Sequence, residues 1–243
     1  MNFTQDEADQ FGSALTKWVE DLPEHIEVIL FPGNALLTTV SESIRNSNHL
    51  GLGAQNIHWE RDGAFTGETS VGMLPDVCTH VLVGHSERRR YFGETEAIIN
   101  RKIVTVMERG LKAVLCVGEG EGSISNVHAE EVLEVQLRGA LRDIEGPVEK
   151  GLVVAYEPVW AIGSDLPATP EVANRRAGFI KRFITRLDNV GTGESTPVIY
   201  GGSVTSENVG SYLDMENIDG VLLGGASLNL ESFKQVVTVT ENY

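Results

Sequence analysis

Apolar residues along the chain fall into short runs that alternate with longer amphipathic stretches. The runs show little polar alternation, which is typical of strands covered on both faces. They lie at 26–31, 50–55, 80–84, 112–118, 152–157, 197–202 and 219–225. Helical periodicity occupies the stretches near 4–21, 36–47, 70–76, 95–109, 127–145, 170–187, 206–213 and 231–240. Strand–helix alternation of this kind predicts a parallel sheet, open or closed.

The pattern predicts one domain over residues 1–243, because no linker, charge block or low-complexity segment divides it. The first predicted element is a helix, in which Thr4 and Glu7 have the spacing of a capping box. A closed (β/α)8 barrel needs eight strands, each preceding its helix. The chain shows seven strand-like runs, so the strand expected before the first helix is missing.

Composition and charge exclude several classes of function. The net charge of −16 argues against a nucleic-acid partner or an anionic membrane surface. Cys78 and Cys116 are the only cysteines and predict neither a disulfide framework nor a thiolate metal site. The six histidines show no metal-binding spacing. Without a membrane-length apolar run or a signal-peptide pattern, the chain is predicted to be cytoplasmic.

Residues suited to catalysis follow several of the predicted strands. In a parallel α/β barrel the active site lies at the C-terminal ends of the strands. His85 follows the run at 80–84, Glu157 ends the run at 152–157, and Gly-rich turns follow the last two runs. Taken singly, a strand-end His, a strand-end Glu and a Gly pair each have a structural explanation. Their joint placement on one face predicts an active site.

Several segments resemble the signature segments of the triosephosphate isomerase family. They are VGHSERRRYFGET (83–95), AYEPVWAIG (155–163), YGGSV (200–204) and DGVLLGGASL (219–228), with GAQNIHWERDGAFTGETS (53–70) similar to the family's long third loop. The resemblance runs in order along the chain with similar spacing. It implies a TIM barrel that lacks its first strand here. The implied activity is interconversion of dihydroxyacetone phosphate and D-glyceraldehyde 3-phosphate in glycolysis and gluconeogenesis.

The resemblance also implies roles for individual residues. Glu157 resembles the family's general base, which moves a proton between neighbouring carbons through an enediolate. His85 resembles the neutral electrophile of this family, itself the standard example of an imidazole kept uncharged by a helix N-terminus. Residues 158–167 resemble the lid that closes over the substrate and excludes water.

Phosphate binding is implied at backbone N–H groups, which suits an acidic chain because aligned amides bind a dianion without arginine. The family's phosphate-binding positions correspond to Gly163, Ser203, Gly224 and Gly225. No metal and no organic cofactor are implied. The substrate is a small phosphorylated sugar. Thr66 resembles the tip of a loop, residues 56–69, that enters a pocket on a second subunit, so a homodimer is expected.

The chain departs from the family at its start. The family's first strand ends in a segment reading Asn-x-Lys-Met-Asn, whereas this chain begins Met1-Asn2. The family's lysine neutralises substrate charge, and Glu87 is its expected partner. Two interpretations stay open, a truncated chain and a diverged member with impaired activity. Truncation is favoured, because losing a central strand would open the sheet and leave Glu87 as an unpaired buried carboxylate.

The second half of the lid departs as well. Ser164, Asp165, Leu166 and Pro167 stand where the family usually has Thr-Gly-Lys-Thr, which predicts slower or altered lid motion. Two other functions therefore stay open beside the triose-phosphate isomerase. One is an isomerase of a related four-carbon ketose phosphate. The other is a phosphate-metabolite-binding homologue that lacks the lysine and is catalytically impaired. A different phosphate-binding barrel is a weaker possibility.

Overall fold

The computed structural model describes residues 2–120, 126–144, 151–162, 167–187 and 196–243. Within these residues, seven parallel strands form one sheet in sequential order. They are β1 (Val28–Leu30), β2 (Leu50–Ala54), β3 (Cys78–Val83), β4 (Lys112–Val117), β5 (Leu152–Tyr156), β6 (Val198–Tyr200) and β7 (Gly220–Val221). An α-helix follows every strand except β2, which is followed only by the 3-10 turn Val71–Met73. The architecture is the α/β, (β/α)8-like barrel that the family resemblance implied, built on the parallel sheet that the alternating pattern predicted.

Eight α-helices are described along the chain. They are α1 (Gln5–Trp18), α2 (Leu37–Ser43), α3 (Ser86–Phe92), α4 (Glu96–Glu108), α5 (Asn126–Ala140), α6 (Pro170–Thr185), α7 (Val209–Leu213) and α8 (Leu230–Thr240). Short 3-10 turns lie at Val19–Asp21, Asn34–Leu36, Val71–Met73, Val159–Ala161 and Gly225–Leu228. None of the described helices is long and apolar enough to span a bilayer.

Alternate residues of the strands pack on opposite faces of the sheet. Leu82, Val114, Cys116 and Ala155 form an inner cluster, with Phe31, Val153, Ile199 and Leu222 packed against it. Their chain neighbours Val83, Leu115 and Val154 belong to the larger cluster under the helices. Because side chains alternate along a strand, burial of both faces requires apolar residues at every position. This explains the uninterrupted apolar runs in the sequence.

The first helix begins at the capping box that the sequence predicted. The Glu7 amide donates to the Thr4 hydroxyl at 3.3 Å, and the Glu7 carboxylate accepts from the Thr4 amide at 2.8 Å. The helix then packs closely on α2, because Gly12 leaves no room for a Cβ beside the Ser43 side chain. Phe11 contacts Phe233 of α8 with ring centroids 6.1 Å apart. Helix α1 therefore lies beside the second and the last helix of the barrel.

Several elements differ from the predicted ones. The runs at 26–31 and 197–202 shorten to Val28–Leu30 and Val198–Tyr200, and the helix predicted near 70–76 is only the 3-10 turn Val71–Met73. The last strand is only Gly220–Val221 rather than 219–225, because the Gly-rich end forms a turn and the 3-10 segment Gly225–Leu228. Helix α7 begins at Val209, after an Asn208 turn, rather than at 206. Helix α3 is absent from the helices predicted by periodicity, since its seven residues, SERRRYF, are too few and too polar to show a face.

Candidate active site

His85 and Glu157 meet at the C-terminal ends of β3 and β5. Gly84, with φ of +73°, turns the chain out of β3, and His85 then occupies the N-cap position of α3. Glu157 follows the last residue of β5 directly. The His85 Nε2 atom lies 3.0 Å from Glu157 Oε1. The other carboxylate oxygen accepts the Ser86 amide hydrogen at 3.0 Å. The two predicted catalytic residues, far apart in sequence, are therefore in direct contact.

Hydrogen bonds assign the tautomer of His85. The Glu87 amide donates to His85 Nδ1 at 3.3 Å, so this nitrogen is an acceptor. The proton of the neutral ring then sits on Nε2, which faces the Glu157 carboxylate. Burial lowers the pKa of His85, but the hydrogen bond and charge of Glu157 outweigh it, so the pKa lies above its ordinary value. The start of α3 thus fixes which tautomer the neutral ring would adopt, while the adjacent carboxylate favours protonation of the ring, so the expected neutral state stays a prediction.

The backbone of Glu157 is held between its neighbouring strands. Its amide donates to the Val117 carbonyl at 2.7 Å, and the Gly201 amide donates to the carbonyl of the preceding Tyr156 at 2.8 Å. A Cβ at Gly118 would lie 1.6 Å from the Glu157 carbonyl oxygen, and one at Gly201 would lie 3.0 Å from its Cγ. Glycine is therefore required at Gly118 for this close approach.

The surroundings of the Glu157 carboxylate are dry. Its side chain is only 3% exposed, whereas His85 is 29% exposed and borders the opening. The Cys116 thiol lies beside it in the barrel interior and is fully buried. Burial, followed by the charge of Glu157, raises the pKa of that thiol well above its ordinary value. The Glu157 carboxylate is therefore largely shielded from bulk water.

The segment after Glu157 is tied to the end of β4 by Glu119. The Trp160 indole N–H donates to Glu119 Oε1 at 3.1 Å, and the Tyr156 hydroxyl donates to the same oxygen at 2.9 Å. The Val159 amide also donates to the Glu119 carbonyl at 3.0 Å. Sequence analysis missed Glu119, although the strand-end criterion that found His85 and Glu157 applies equally to the residue after the run at 112–118. A buried carboxylate therefore anchors the first half of the predicted lid.

The predicted phosphate-binding residues lie at the ends of β6 and β7, as far as they are described. Ser203 is followed by a turn in which the Asn208 side chain donates to the Ser203 carbonyl at 3.1 Å. A Cβ built on Gly224 or Gly225 meets no heavy atom of the described chain within 4 Å, so the backbone there borders open space. Gly163 and the lid residues 164–166 lie outside the described residues, and Pro167 is half-buried.

Glu87 lies on the first turn of α3 and is exposed. The expectation that this carboxylate is buried is therefore wrong. Glu87 is the second residue of α3, in the turn directly after the N-cap His85, and its side chain lies on the solvent side of the helix start. Glu87 contributes its backbone amide, which donates the hydrogen bond to His85 Nδ1, and its carboxylate charge, which also acts to raise the pKa of His85.

The loop over residues 56–69 is ordered by its own aromatic residues. The His58 ring stacks on Trp59 with centroids 4.0 Å apart and contacts the Phe65 ring at a tilt, with centroids 4.2 Å apart. Its ends are joined because the His58 amide donates to the Thr69 carbonyl at 2.8 Å. Thr66 lies exposed at the tip, beside a Phe65 that is 42% exposed. The loop therefore presents an apolar tip to solvent.

A buried ion cluster lies beneath this loop. The Lys102 ammonium donates to the Asn56 side-chain oxygen at 2.5 Å and pairs with the Glu94 carboxylate. Arg88 of α3 donates to the same carboxylate at 2.5 Å. The cluster therefore connects the base of the loop to the helix that His85 caps. Among the residues that the structure describes, no group of three or more His, Cys, Asp or Glu residues is arranged to hold a metal ion.

Comparison with known proteins gives one consistent result. The family model described as triosephosphate isomerase matches residues 1–240. The chain is 41% identical to the triosephosphate isomerase of Aquifex aeolicus, over 98% of this chain and 95% of that protein. Its identity to the enzyme of Geobacter metallireducens is 41%, over 95% of this chain and 92% of that protein. Its identity to the enzyme of Dehalococcoides mccartyi is 40%, over 97% of this chain and 91% of that protein.

Proposed function

The chain belongs to the triosephosphate isomerase family, and from this premise we propose how its strand-end site interconverts dihydroxyacetone phosphate and D-glyceraldehyde 3-phosphate. The chain is an intramolecular aldose–ketose isomerase of these triose phosphates. The observation that carries the proposed site is the contact of 3.0 Å between His85 and Glu157 at one edge of the sheet. No observation favours a four-carbon substrate or a non-catalytic binding protein.

Glu157 is the proposed general base. It takes a proton from the carbon beside the substrate carbonyl and returns that proton to the neighbouring carbon. To reach the substrate, the carboxylate exchanges its contacts with His85 and the Ser86 amide for contacts with the ligand. Its nearly complete burial supports the role, because a proton held away from water is available for return to the substrate.

His85 is the proposed electrophile. Its Nε2–H faces the space that the Glu157 carboxylate now occupies, while Nδ1 is held as an acceptor by the Glu87 amide. Once the carboxylate turns to the substrate, this N–H donates to the oxygens on which negative charge develops. The influence that raises the pKa of His85 then weakens, because it comes from the adjacent carboxylate. The ring is thereby left neutral for donation.

The phosphate is proposed to bind at the ends of the last two strands and under the lid. The backbone N–H groups of Ser203, Gly224 and Gly225 are the proposed donors, together with Gly163 from the lid, residues 158–167. Support comes from the open space beside Gly224 and Gly225. Backbone N–H groups donate hydrogen bonds to a phosphate dianion without a charged side chain, so they can bind it even in a chain with a net charge of −16.

We further propose that the protein acts as a homodimer, in the cytoplasm, in glycolysis and gluconeogenesis. The loop over residues 56–69, with Thr66 at its tip, is the proposed contact. Support comes from its pre-ordered aromatic stack and the exposed Phe65 ring. The acidic charge supports the absence of a nucleic-acid partner. Sedimentation of the wild type and of Phe65→Asp tests the dimer: the variant should sediment as a monomer, and an unchanged species would contradict the proposal.

A coupled isomerase assay tests the site. We expect Glu157→Gln to lower kcat by about 1,000-fold, within the range for a lost general base. His85→Gln should lower kcat by about 100-fold, as for a lost oxyanion donor. His128→Gln and Glu134→Gln, both on the exposed face of α5, serve as matched controls and should retain activity. Glu157→Gln turning over within threefold of the wild type would sink the assignment.

A further inference from the structure

Three consecutive arginines on α3 enter three different environments. Arg90 is exposed, with its guanidinium 5.1 Å from the Tyr91 ring centroid. Arg88 belongs to the ion cluster with Glu94. Arg89 turns back towards the sheet, and its side chain is 18% exposed. The sequence shows only a run of positive charge, whereas the structure separates a solvent residue, a cluster residue and a residue directed at the strand ends.

The guanidinium of Arg89 contacts two strands and one helix. Its Nε donates to the Gly84 carbonyl at 2.6 Å, and its Nη2 donates to the Cys116 carbonyl at 3.1 Å. The remaining Nη1 pairs with the Glu96 carboxylate in the first turn of α4. Only a planar fork with donors on three sides makes such contacts at once. Glu96 neutralises the charge, so Arg89 supplies geometry rather than a net positive field.

These two carbonyls lie where the regular pairing of β3 and β4 stops. The last paired residues of that ladder are Val83 and Leu115. Arg89 therefore joins the strands one residue beyond the ladder, where backbone hydrogen bonds between them are replaced by the side chain. The peptide group it holds on β3 joins Gly84 to His85. Because the Gly84 carbonyl belongs to the peptide plane that precedes His85, holding this carbonyl also restricts the orientation of the His85 side chain.

The contact on β4 reaches the other half of the site. Cys116 is followed by Val117, whose carbonyl accepts the Glu157 amide hydrogen at 2.7 Å. One guanidinium thus links the peptide before His85 to the strand that holds the backbone of Glu157. Small displacements of catalytic groups cost large factors in rate, so this link sets how well the two groups are aligned.

We propose that Arg89 is a positioning residue for the reaction: it clamps the ends of β3 and β4 and so fixes the His85 imidazole relative to Glu157. The inference rests on the proposed roles of those two residues. It concerns a residue that the chemistry itself does not use, since the guanidinium faces backbone carbonyls and Glu96 rather than the pocket. Its loss should therefore affect turnover more than substrate binding.

The test compares Arg89→Gln and Arg89→Lys with Arg90→Gln, a matched control one residue away on the solvent side. We expect Arg89→Gln to lower kcat about 100-fold, the cost of a misplacement near 1 Å, with KM changed less than about threefold. Arg89→Lys keeps the charge and one carbonyl contact, and should lose about tenfold, which is a partial rescue. Arg90→Gln should match the wild type. If Arg89→Gln does not fold, the kcat of Arg89→Lys, expected to be about tenfold below that of the wild type, tests the proposal instead.

A second readout uses NMR of the imidazole nitrogens of His85. Their signals should move in Arg89→Gln and Arg89→Lys and stay in place in Arg90→Gln. Unchanged signals, or turnover of both Arg89 variants equal to that of Arg90→Gln, would overturn the inference. If the wild type itself shows no isomerase activity, the proposed function fails, but the His85 signals still decide whether Arg89 positions the ring.

Discussion

Replacing Glu94 by glutamine should strongly destabilise the fold. The Glu94 and Lys102 side chains are 4% and 3% exposed, and Arg88 donates to the same carboxylate. Glutamine keeps the size of the side chain but removes its charge, which leaves two cations facing each other in a dry site. Breaking a buried ion pair by removing one partner costs about 3–5 kcal/mol. With two cations sharing this carboxylate, we expect the upper half of that range.

Urea denaturation at fixed protein concentration measures this loss, since oligomers unfold in a concentration-dependent way. Glu134→Gln is the matched control: it breaks an exposed pair with Arg138 on α5 and should cost less than about 0.5 kcal/mol. Adding Lys102→Met to Glu94→Gln should recover part of the loss, because one uncompensated buried charge is removed. A Glu94→Gln variant within about 1 kcal/mol of the wild type would refute the reasoning, since a pair with that little effect behaves as an exposed one.

The same variant should show a defined pH dependence. Burial raises the pKa of Glu94, but hydrogen bonds and charges from Lys102 and Arg88 outweigh it, so its pKa lies below the ordinary 4.5. A carboxyl with a depressed pKa in the folded state contributes stability above its unfolded pKa and loses it as the pH falls through the folded value. The difference between wild type and variant should therefore be constant above about pH 5.5 and shrink in acid.

Three further predictions concern the strand ends. Gly118→Ala should abolish activity and destabilise the fold, because a Cβ there would lie 1.6 Å from the Glu157 carbonyl oxygen. A Cβ at Gly120 meets no described atom within 4 Å, so Gly120→Ala should leave both the isomerase activity and the melting temperature unchanged. The Cys116 thiol should react with a thiol reagent no faster than the protein unfolds, since burial raises its pKa; fast labelling of the native protein would contradict its burial. His85 has a raised pKa in the folded protein, so the extra stability of wild type over His85→Gln should be present below about pH 6.5 and fall as the pH rises above it, as measured by thermal melts.

Local pattern was enough to predict a parallel sheet with helices between its strands, because strands buried on both faces are apolar along most of their length. The barrel itself was implied by the family resemblance. It was insufficient for β7, where the apolar run continues into Gly224 and Gly225 and the backbone turns. It also missed α3, whose polar residues show no buried face although His85 caps its start. The length of such short elements depends on tertiary contacts that a local pattern does not contain.

Their position at strand ends identified His85 and Glu157 as candidate catalytic residues but did not predict that their side chains are in direct contact. The contact between them joins the ends of β3 and β5 across the intervening β4, and it depends on the curvature of the sheet, which a local pattern does not contain. Glu119 satisfied the same positional criterion, yet a single Glu after a strand has no distinguishing pattern of its own. The burial of Glu87 was inferred from a family partner rather than from its own position, and the structure places it exposed on the first turn of α3.

The resting contacts of Glu157 also bear on how the protein meets reactive small molecules. Both carboxylate oxygens are engaged, one by His85 and one by the Ser86 amide. An electrophile that reaches these strand ends therefore meets a carboxylate whose two oxygens are each already engaged in one polar contact, which lowers its nucleophilicity. Selective covalent inhibitors should need a phosphate-like group that first draws the carboxylate out, so that recognition precedes bond formation.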